Sequence, residues 1–123
     1  MIFTADPTEF IWHYSTYEKK DELRERVQKH LAYKTCRVVL DKANLVCAVC
    51  LWNISPDQVE ARVADMVIRE DYSKKDLMRR ILIDGMKIWP VKFLRYCRDY
   101  TKDGSNRGSE RIWSVERFLR RRA

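Results

Sequence analysis

Two lysines, Lys74 and Lys75, stand where an apolar run gives way to a helical pattern, in the stretch Val67 to Trp89 that reads VIREDYSKKDLMRRILIDGMKIW. A helix that opens just behind such a run presents unpaired backbone N–H groups and the positive end of its dipole. Cations in the first turn oppose that dipole, so they are mildly unfavourable for the helix and favourable for a bound anion. A phosphate is the natural occupant of such a place. Ser73 is the expected N-cap, and Asp76, three residues on, completes a capping box with it.

The other reactive side chains point to less. Cys47 and Cys50 have the C-x-x-C spacing, but residues three apart on a strand point to opposite faces. Without a bulge they cannot share one metal, no second ligand pair follows, and His13 and His30 are remote in sequence. No metal site is expected, and both thiols read as small buried apolar side chains. Cys97 stands beside Arg98, which would lower its thiol pKa if exposed; as a strand residue it is expected to face the sheet. His13 sits in the aromatic cluster Trp12-His13-Tyr14 and reads as packing. There is no nucleophile elbow, Walker loop, dinucleotide fingerprint or zinc-protease motif.

The elements that must position these residues follow from periodicity and breakers. Tyr17 to Tyr33 reads as a helix, with Leu23, Val27 and Leu31 recurring every four residues. Thr35–Leu40 (TCRVVL) reads as a strand and Asp41-Lys42-Ala43-Asn44 as a turn. Leu45–Trp52 (LVCAVCLW) is almost wholly apolar, which predicts a central strand covered on both faces and paired with the preceding one as a hairpin. Ser55-Pro56-Asp57 breaks the chain. Val59–Ile68 is the next strand, with Val59, Ala61, Val63, Asp65 and Val67 expected on one face. The helix from Ser73 runs to Trp89 and stops at Pro90. Leu77, Met78, Ile81, Leu82, Gly85 and Met86 form its buried stripe, Gly85 allows a close approach to a sheet, and Arg79, Arg80, Asp84 and Lys87 point outward. Val91–Tyr100 then makes a strand–helix–strand crossover, whose strands run parallel. Residues 102–108 form a turn, 110–115 a last strand, and 116–122 a short helix or tail.

This order of elements resembles the GNAT superfamily of N-acetyltransferases. In that family a strand leads into a loop of consensus Arg/Gln-x-x-Gly-x-Gly/Ala, whose backbone N–H groups cradle the coenzyme A pyrophosphate at a helix start. The run from Ile68 to Leu82 can be laid on the family pattern without a gap, and Ile68, Asp71, Tyr72, Leu77, Ile81 and Leu82 match in character. Glu70 replaces the family proline, Ser73 stands at the Arg/Gln position, Lys74 stands where glycine is common, and Asp76 and Met78 occupy the two main glycine positions. The resemblance implies one domain over residues 1–123, of α+β class in three layers. Its central sheet would be mixed and mostly antiparallel, of about five to six strands, with helices on both faces. It implies acetyl-CoA as cofactor and an amine as acceptor. The coenzyme contacts would come from Met66, Val67, Ile68, Ser73, Lys74, Lys75, Asp76, Leu77 and Met78. Tyr96 or Tyr100 would serve as general acid, and Glu60 or Asp65 as base through a water. A gap is expected between the two parallel strands near Asp65–Val67 and Phe93–Arg95. The short C-terminal part resembles small GNAT-like proteins of phages and mobile elements.

Composition bounds the alternatives. The chain has 123 residues, a net charge of +7 and 46% hydrophobic residues, enough for a core. Four cysteines with few glycines and prolines fit a reduced, cytoplasmic protein. The first residues show no secretory signal, and no run of eighteen apolar residues occurs. The charge is uneven, because residues 98–123 hold eight Lys/Arg against four Asp/Glu. An alternative function is therefore a non-catalytic, basic binding or structural module. Arg107, Arg111, Arg117, Arg120, Arg121 and Arg122, with Trp113 and Tyr100 interleaved, would contact phosphates and stack on bases of a nucleic acid, or meet an acidic protein. A third reading is an oligomer anchored by exposed Trp12, Tyr14 and Tyr17.

Overall fold

The run VCAVCLW is buried from end to end, and the molecule is arranged around it. The computed structural model describes residues 7–14, 19–69, 74–97 and 110–120. In chain order these form α1 (Pro7–Tyr14), α2 (Lys20–Ala32), β1 (Cys36–Leu40), β2 (Val46–Ile54), β3 (Glu60–Ile68), α3 (Lys74–Ile88), β4 (Phe93–Cys97), β5 (Glu110–Ser114) and α4 (Val115–Arg120). The strands make one mixed sheet of α+β type in the order β1-β2-β3-β4-β5. Among the described residues only the β3–β4 pair is parallel, and α3 provides its crossover. Among the described residues no helix is long and apolar enough to cross a membrane.

Helices cover both faces of the sheet. On one face, Phe10 and Ile11 of α1 and Leu23 and Val27 of α2 meet Val46, Val49, Leu51, Ala64 and Val67. On the other, Ile81 and Leu82 of α3 meet Ala48, Cys50, Trp52, Ala61, Val63 and Met66. β2 supplies side chains to both clusters, which is why its sequence is continuously apolar.

Three sequence expectations need correction here. The helical stripe of α2 uses Leu23 and Val27 but not Leu31, which is 46% exposed. His30 is the buried residue of the last turn instead. The even alternation expected along β3 is also broken. Leu51 pairs with Asp65 but Trp52 pairs with Val63, so Ala64 is an extra residue in the ladder. Such a bulge shifts the side-chain phase by one. Ala61, Val63 and Met66 therefore face α3, whereas Ala64 and Val67 face α1 and α2. Asp65 is 1% exposed and reaches Arg26 of α2, whose Nη2 lies 2.7 Å from its Oδ2. The helix α1 lies where the sequence suggested only aromatic packing. It begins on a proline, a residue suited to a first helical turn. Its His13 ring stands edge-on to Tyr14 at 4.6 Å, and Trp12 and Tyr14 pack against the core instead of standing exposed. Tyr17 lies outside the described residues.

Among the described residues three other than glycine have positive φ: Lys34 (58°) just after α2, and Asn44 (63°) and Gln58 (59°) in the turns before β2 and β3. At the end of α2, Thr35 N–H donates to the His30 carbonyl at 2.8 Å and Lys34 N–H to the Leu31 carbonyl at 3.1 Å. These two bonds define a Schellman motif with Lys34 in the left-handed position that favours glycine. Lys34 is exposed, so its side chain contributes little packing. Lys34→Gly should raise unfolding stability by about 0.5–1 kcal/mol in urea denaturation. A loss of stability would contradict this cap.

Candidate functional site

The parallel pair β3–β4 opens into a split. Its ladder consists of Glu60↔Phe93, Ala61↔Leu94 and Arg62↔Arg95, and the register ends there. β3 nevertheless continues to Ile68 and keeps its partner β2 as far as Ala48↔Ile68. Past Arg62 no further β3–β4 pair occurs among the described residues, which on β4 end at Cys97. The opening was expected near Asp65–Val67 and Phe93–Arg95: Asp65–Val67 do lie past the last β3–β4 pair, whereas Phe93–Arg95 are themselves paired with β3. The Ala64 bulge falls just past the last β3–β4 pair, and such bulges add local twist to a strand.

The far end of the split is held by Arg69, the last described residue before α3. Its backbone N–H donates to the Cys47 carbonyl at 2.9 Å. Its Nη1 donates to the Val46 carbonyl at 3.2 Å and its Nη2 to Asp41 Oδ2 at 3.0 Å. Asp41 Oδ1 accepts the N–H groups of Ala43 and Leu45. The Leu45 N–H above all, then the Arg69 guanidinium, hold the Asp41 carboxyl below the usual carboxylate range. The β1–β2 turn is therefore clamped to the base of the loop that enters α3. Nothing in the sequence links Asp41 to Arg69, which are 28 positions apart.

The helix α3 begins at Lys74. Leu77, Ile81, Leu82 and Gly85 are buried and Met78 and Met86 half-buried, in the stripe expected, while Arg79, Arg80 and Lys87 are exposed. Met78 packs against the α3-side core, so its side chain is directed into the protein and not across the helix start. Asp84 does not simply face solvent. Arg37 of β1 grips it with two hydrogen bonds, Nε to Oδ2 at 2.8 Å and Nη2 to Oδ1 at 3.0 Å, which fixes α3 across β1 and β2. Ser73 and the side chains of Lys74, Lys75 and Asp76 lie outside the described residues, and with them the expected capping box.

The candidate catalytic residues do not converge. Leu94 faces α3, and Tyr96, two residues on, packs half-buried against the same cluster. Glu60 and Arg95 alternate with residues of that cluster and so occupy the opposite face, where Arg95 Nε donates to Glu60 Oε1. Asp65, also on that face, is held by Arg26. Met66 and Ile68 point toward α3 and Val67 toward α1 and α2. Tyr100 lies outside the described residues. Of the arginines considered for an acidic partner, Arg117 is exposed on α4 and Arg120 is paired with Glu116 at 2.6 Å. Arg107, Arg121, Arg122 and the side chains of Arg111 and Trp113 are outside the described residues. No group of three or more metal-ligating side chains occurs among the described residues. Cys47 and Cys50 are both buried, and burial raises both thiol pKa values.

His30 closes the bottom of α2. Its Nδ1 lies 2.8 Å from Thr35 Oγ1, and the ring also bonds the backbone of Trp52. Burial foremost, then the charge of Arg26, lowers its pKa below the usual 6.5. The unfolded chain therefore takes up this proton first, and folding stability is lost as pH falls below about 6.5 and through the lower folded value. Urea unfolding between pH 7.5 and 5 should show a steeper loss in the wild type than in His30→Gln. Equal slopes would remove His30 as the cause.

No protein-family model matches the chain, and no curated protein matches it. Among solved structures, it resembles a chimera of the spermidine N-acetyltransferase SpeG from Vibrio cholerae and hSSAT. The TM-score is 0.54 at 20% identity, over 78% of this chain and 68% of that one. It also resembles the GNAT family N-acetyltransferase YhbS from Escherichia coli, in complex with CoA. There the TM-score is 0.50 at 14% identity, over 79% of this chain and 61% of that one. At such identities the likeness speaks to architecture alone. The chain has the GNAT fold.

Proposed function

We propose that this protein binds acetyl-CoA in the split between β3 and β4 and passes the acetyl group to an amine. The observation that carries the reading is the β3–β4 ladder, which stops at Arg62↔Arg95 while β3 runs on to Ile68. An extended ligand lying in that opening would run along the backbone of Met66, Val67 and Ile68 toward the start of α3. There the free N–H groups of the first turn, with Lys74 and Lys75, suit a diphosphate. Bound coenzyme would supply an activated thioester.

The residues present fit this group in part. Of the two positions where the family has glycine, Met78 is accommodated by the core, so it leaves the helix start clear. Asp76 is the remaining obstacle, since a carboxylate near a diphosphate repels it unless the capping box engages it. Affinity is accordingly expected to be below that of a glycine-lined loop. Tyr96, one residue past the last β3–β4 pair, is our first candidate for the general acid that protonates the leaving sulfur, and Tyr100 is the other. Glu60, on the opposite face and ion-paired to Arg95, could take a proton from the acceptor only through water. A chain with a net charge of +7 steers polycations away. An amine of low charge therefore suits it better than spermidine, the substrate named for the SpeG neighbour.

Acetyl-CoA at about 1 mM should raise the melting temperature by roughly 3–5 °C, as a ligand of modest affinity does for a domain of this size. No shift at that concentration, together with no acetyl transfer to a panel of primary amines, would overturn the reading.

A further inference from the structure

An open cleft of ≈ 790 Å³ lies at the other end of α3, lined by residues from the last turns of α2 and by Ile88, Trp89 and Pro90. Its walls carry Arg26 and Lys29 from α2, Tyr33 behind them, Asn53 at the end of β2, and Trp89 at the end of α3, with Trp52 below. The volume falls within the range of small-molecule sites. A helix of 15 residues is about 22 Å long, so this cleft and the start of α3 are separate places.

The lining has a consistent chemistry. No acidic side chain contributes to it among the described residues, although the chain holds 18 Asp and Glu. Arg26 shares its charge with Asp65, whereas Lys29 has no ion-pair partner among the described residues. A basic residue in the last turn of α2 complements the helix dipole, which accounts for Lys29 on its own. It does not account for the aromatic groups beside it. Tyr33 is 71% exposed, a large surface for a tyrosine to leave in water. Trp89 is half-buried and stacks obliquely on Trp52, with ring centroids 5.5 Å apart, which fixes its orientation. An amide, an uncompensated ammonium and two aromatic rings together suit a ligand that is flat at one end and negative at the other.

We propose that this cleft binds a small aromatic carboxylate, with its ring on Trp89 and Tyr33 and its carboxylate on Lys29 and Asn53. The site is independent of acetyl-CoA binding and stands or falls without it. The test is a titration of the 15N-labelled full chain with naphthalene-2-carboxylate, followed by amide and indole resonances. Naphthalene-2-carboxamide serves as the uncharged ring and acetate as the ringless charge.

The carboxylate is expected to move the indole signal of Trp89 and the amide of Asn53 at low millimolar concentration. Both controls should bind at least about tenfold more weakly. Lys29→Glu, at an exposed position that leaves the fold intact, should weaken the carboxylate by about fivefold or more. Lys74→Glu/Lys75→Glu should leave it unchanged. The proposal is overturned if none of these resonances moves by about 10 mM. Equal binding of carboxamide and carboxylate would also overturn it, as would a Lys29→Glu variant that binds like the wild type.

Discussion

Gly85→Ala should destabilise the protein by about 1–3 kcal/mol, the reverse of what the same change does in an exposed helix. Alanine is the better helix former by about 1 kcal/mol, so on propensity alone the substitution would stabilise α3. Packing decides otherwise. A Cβ at Gly85 would stand 2.5 Å from Cζ2 and 2.8 Å from Cη2 of Trp52. Trp52 cannot swing away, because it is fully buried and stacks on Trp89. One of the two elements must shift, and both are part of the same cluster. The cause can be isolated in a double-mutant cycle. In a Trp52→Phe background the far ring of the indole is gone, and Gly85→Ala should then be neutral or stabilising. Chemical denaturation of the four proteins measures this coupling. An equal loss in both backgrounds would mean that the contact is not the reason.

Gly85 also shows what could be read in the sequence. A lone glycine within a strong helical stripe announced a close approach, and Trp52, a large residue in the apolar run of β2, proved to be its partner. Local patterning worked where a signal is repeated along one element: the continuous apolar run of β2, the stripe of α3, and the strand–helix–strand order that makes β3 and β4 parallel. It failed where one residue changes the phase. The Ala64 bulge carries no compositional mark, yet it moves Asp65 and Val67 away from the face occupied by Ala61 and Val63. Contacts between distant residues were also invisible. Asp41 with Arg69, Arg37 with Asp84, and Glu60 with Arg95 are charge pairs drawn from a chain rich in both signs, and only the fold selects which partners meet. The split belongs with these. Its existence could be expected from the family likeness, and so could its place on β3 at Asp65–Val67; on β4 its place depends on where the register ends, past Phe93–Arg95.

Lys74→Glu/Lys75→Glu should lower acetyl-CoA affinity by roughly 30-fold or more, since each reversal beside a diphosphate is worth about 1 kcal/mol even when solvated. The same change should leave the protein as stable as before, or slightly more so. Acidic residues in a first helical turn interact favourably with the dipole, by about 0.3–1 kcal/mol each, where lysines interact unfavourably. Affinity and stability thus move in opposite directions, which a purely structural or solvating role for the two lysines does not produce. Isothermal titration with acetyl-CoA and urea unfolding of both proteins read the two quantities separately. Unchanged affinity in the variant would place the coenzyme elsewhere or nowhere.

The most direct measurement is a titration of the 15N-labelled protein with acetyl-CoA, followed residue by residue. The expected result is a saturable shift of the amides of Val63 to Ile68, past the last described β3–β4 pair, together with those in the first turn of α3. Resonances of β1 and of the cleft at Trp89 should stay in place. Amides at β3 and at the start of α3 that remain unmoved at millimolar acetyl-CoA would contradict a coenzyme site in the split.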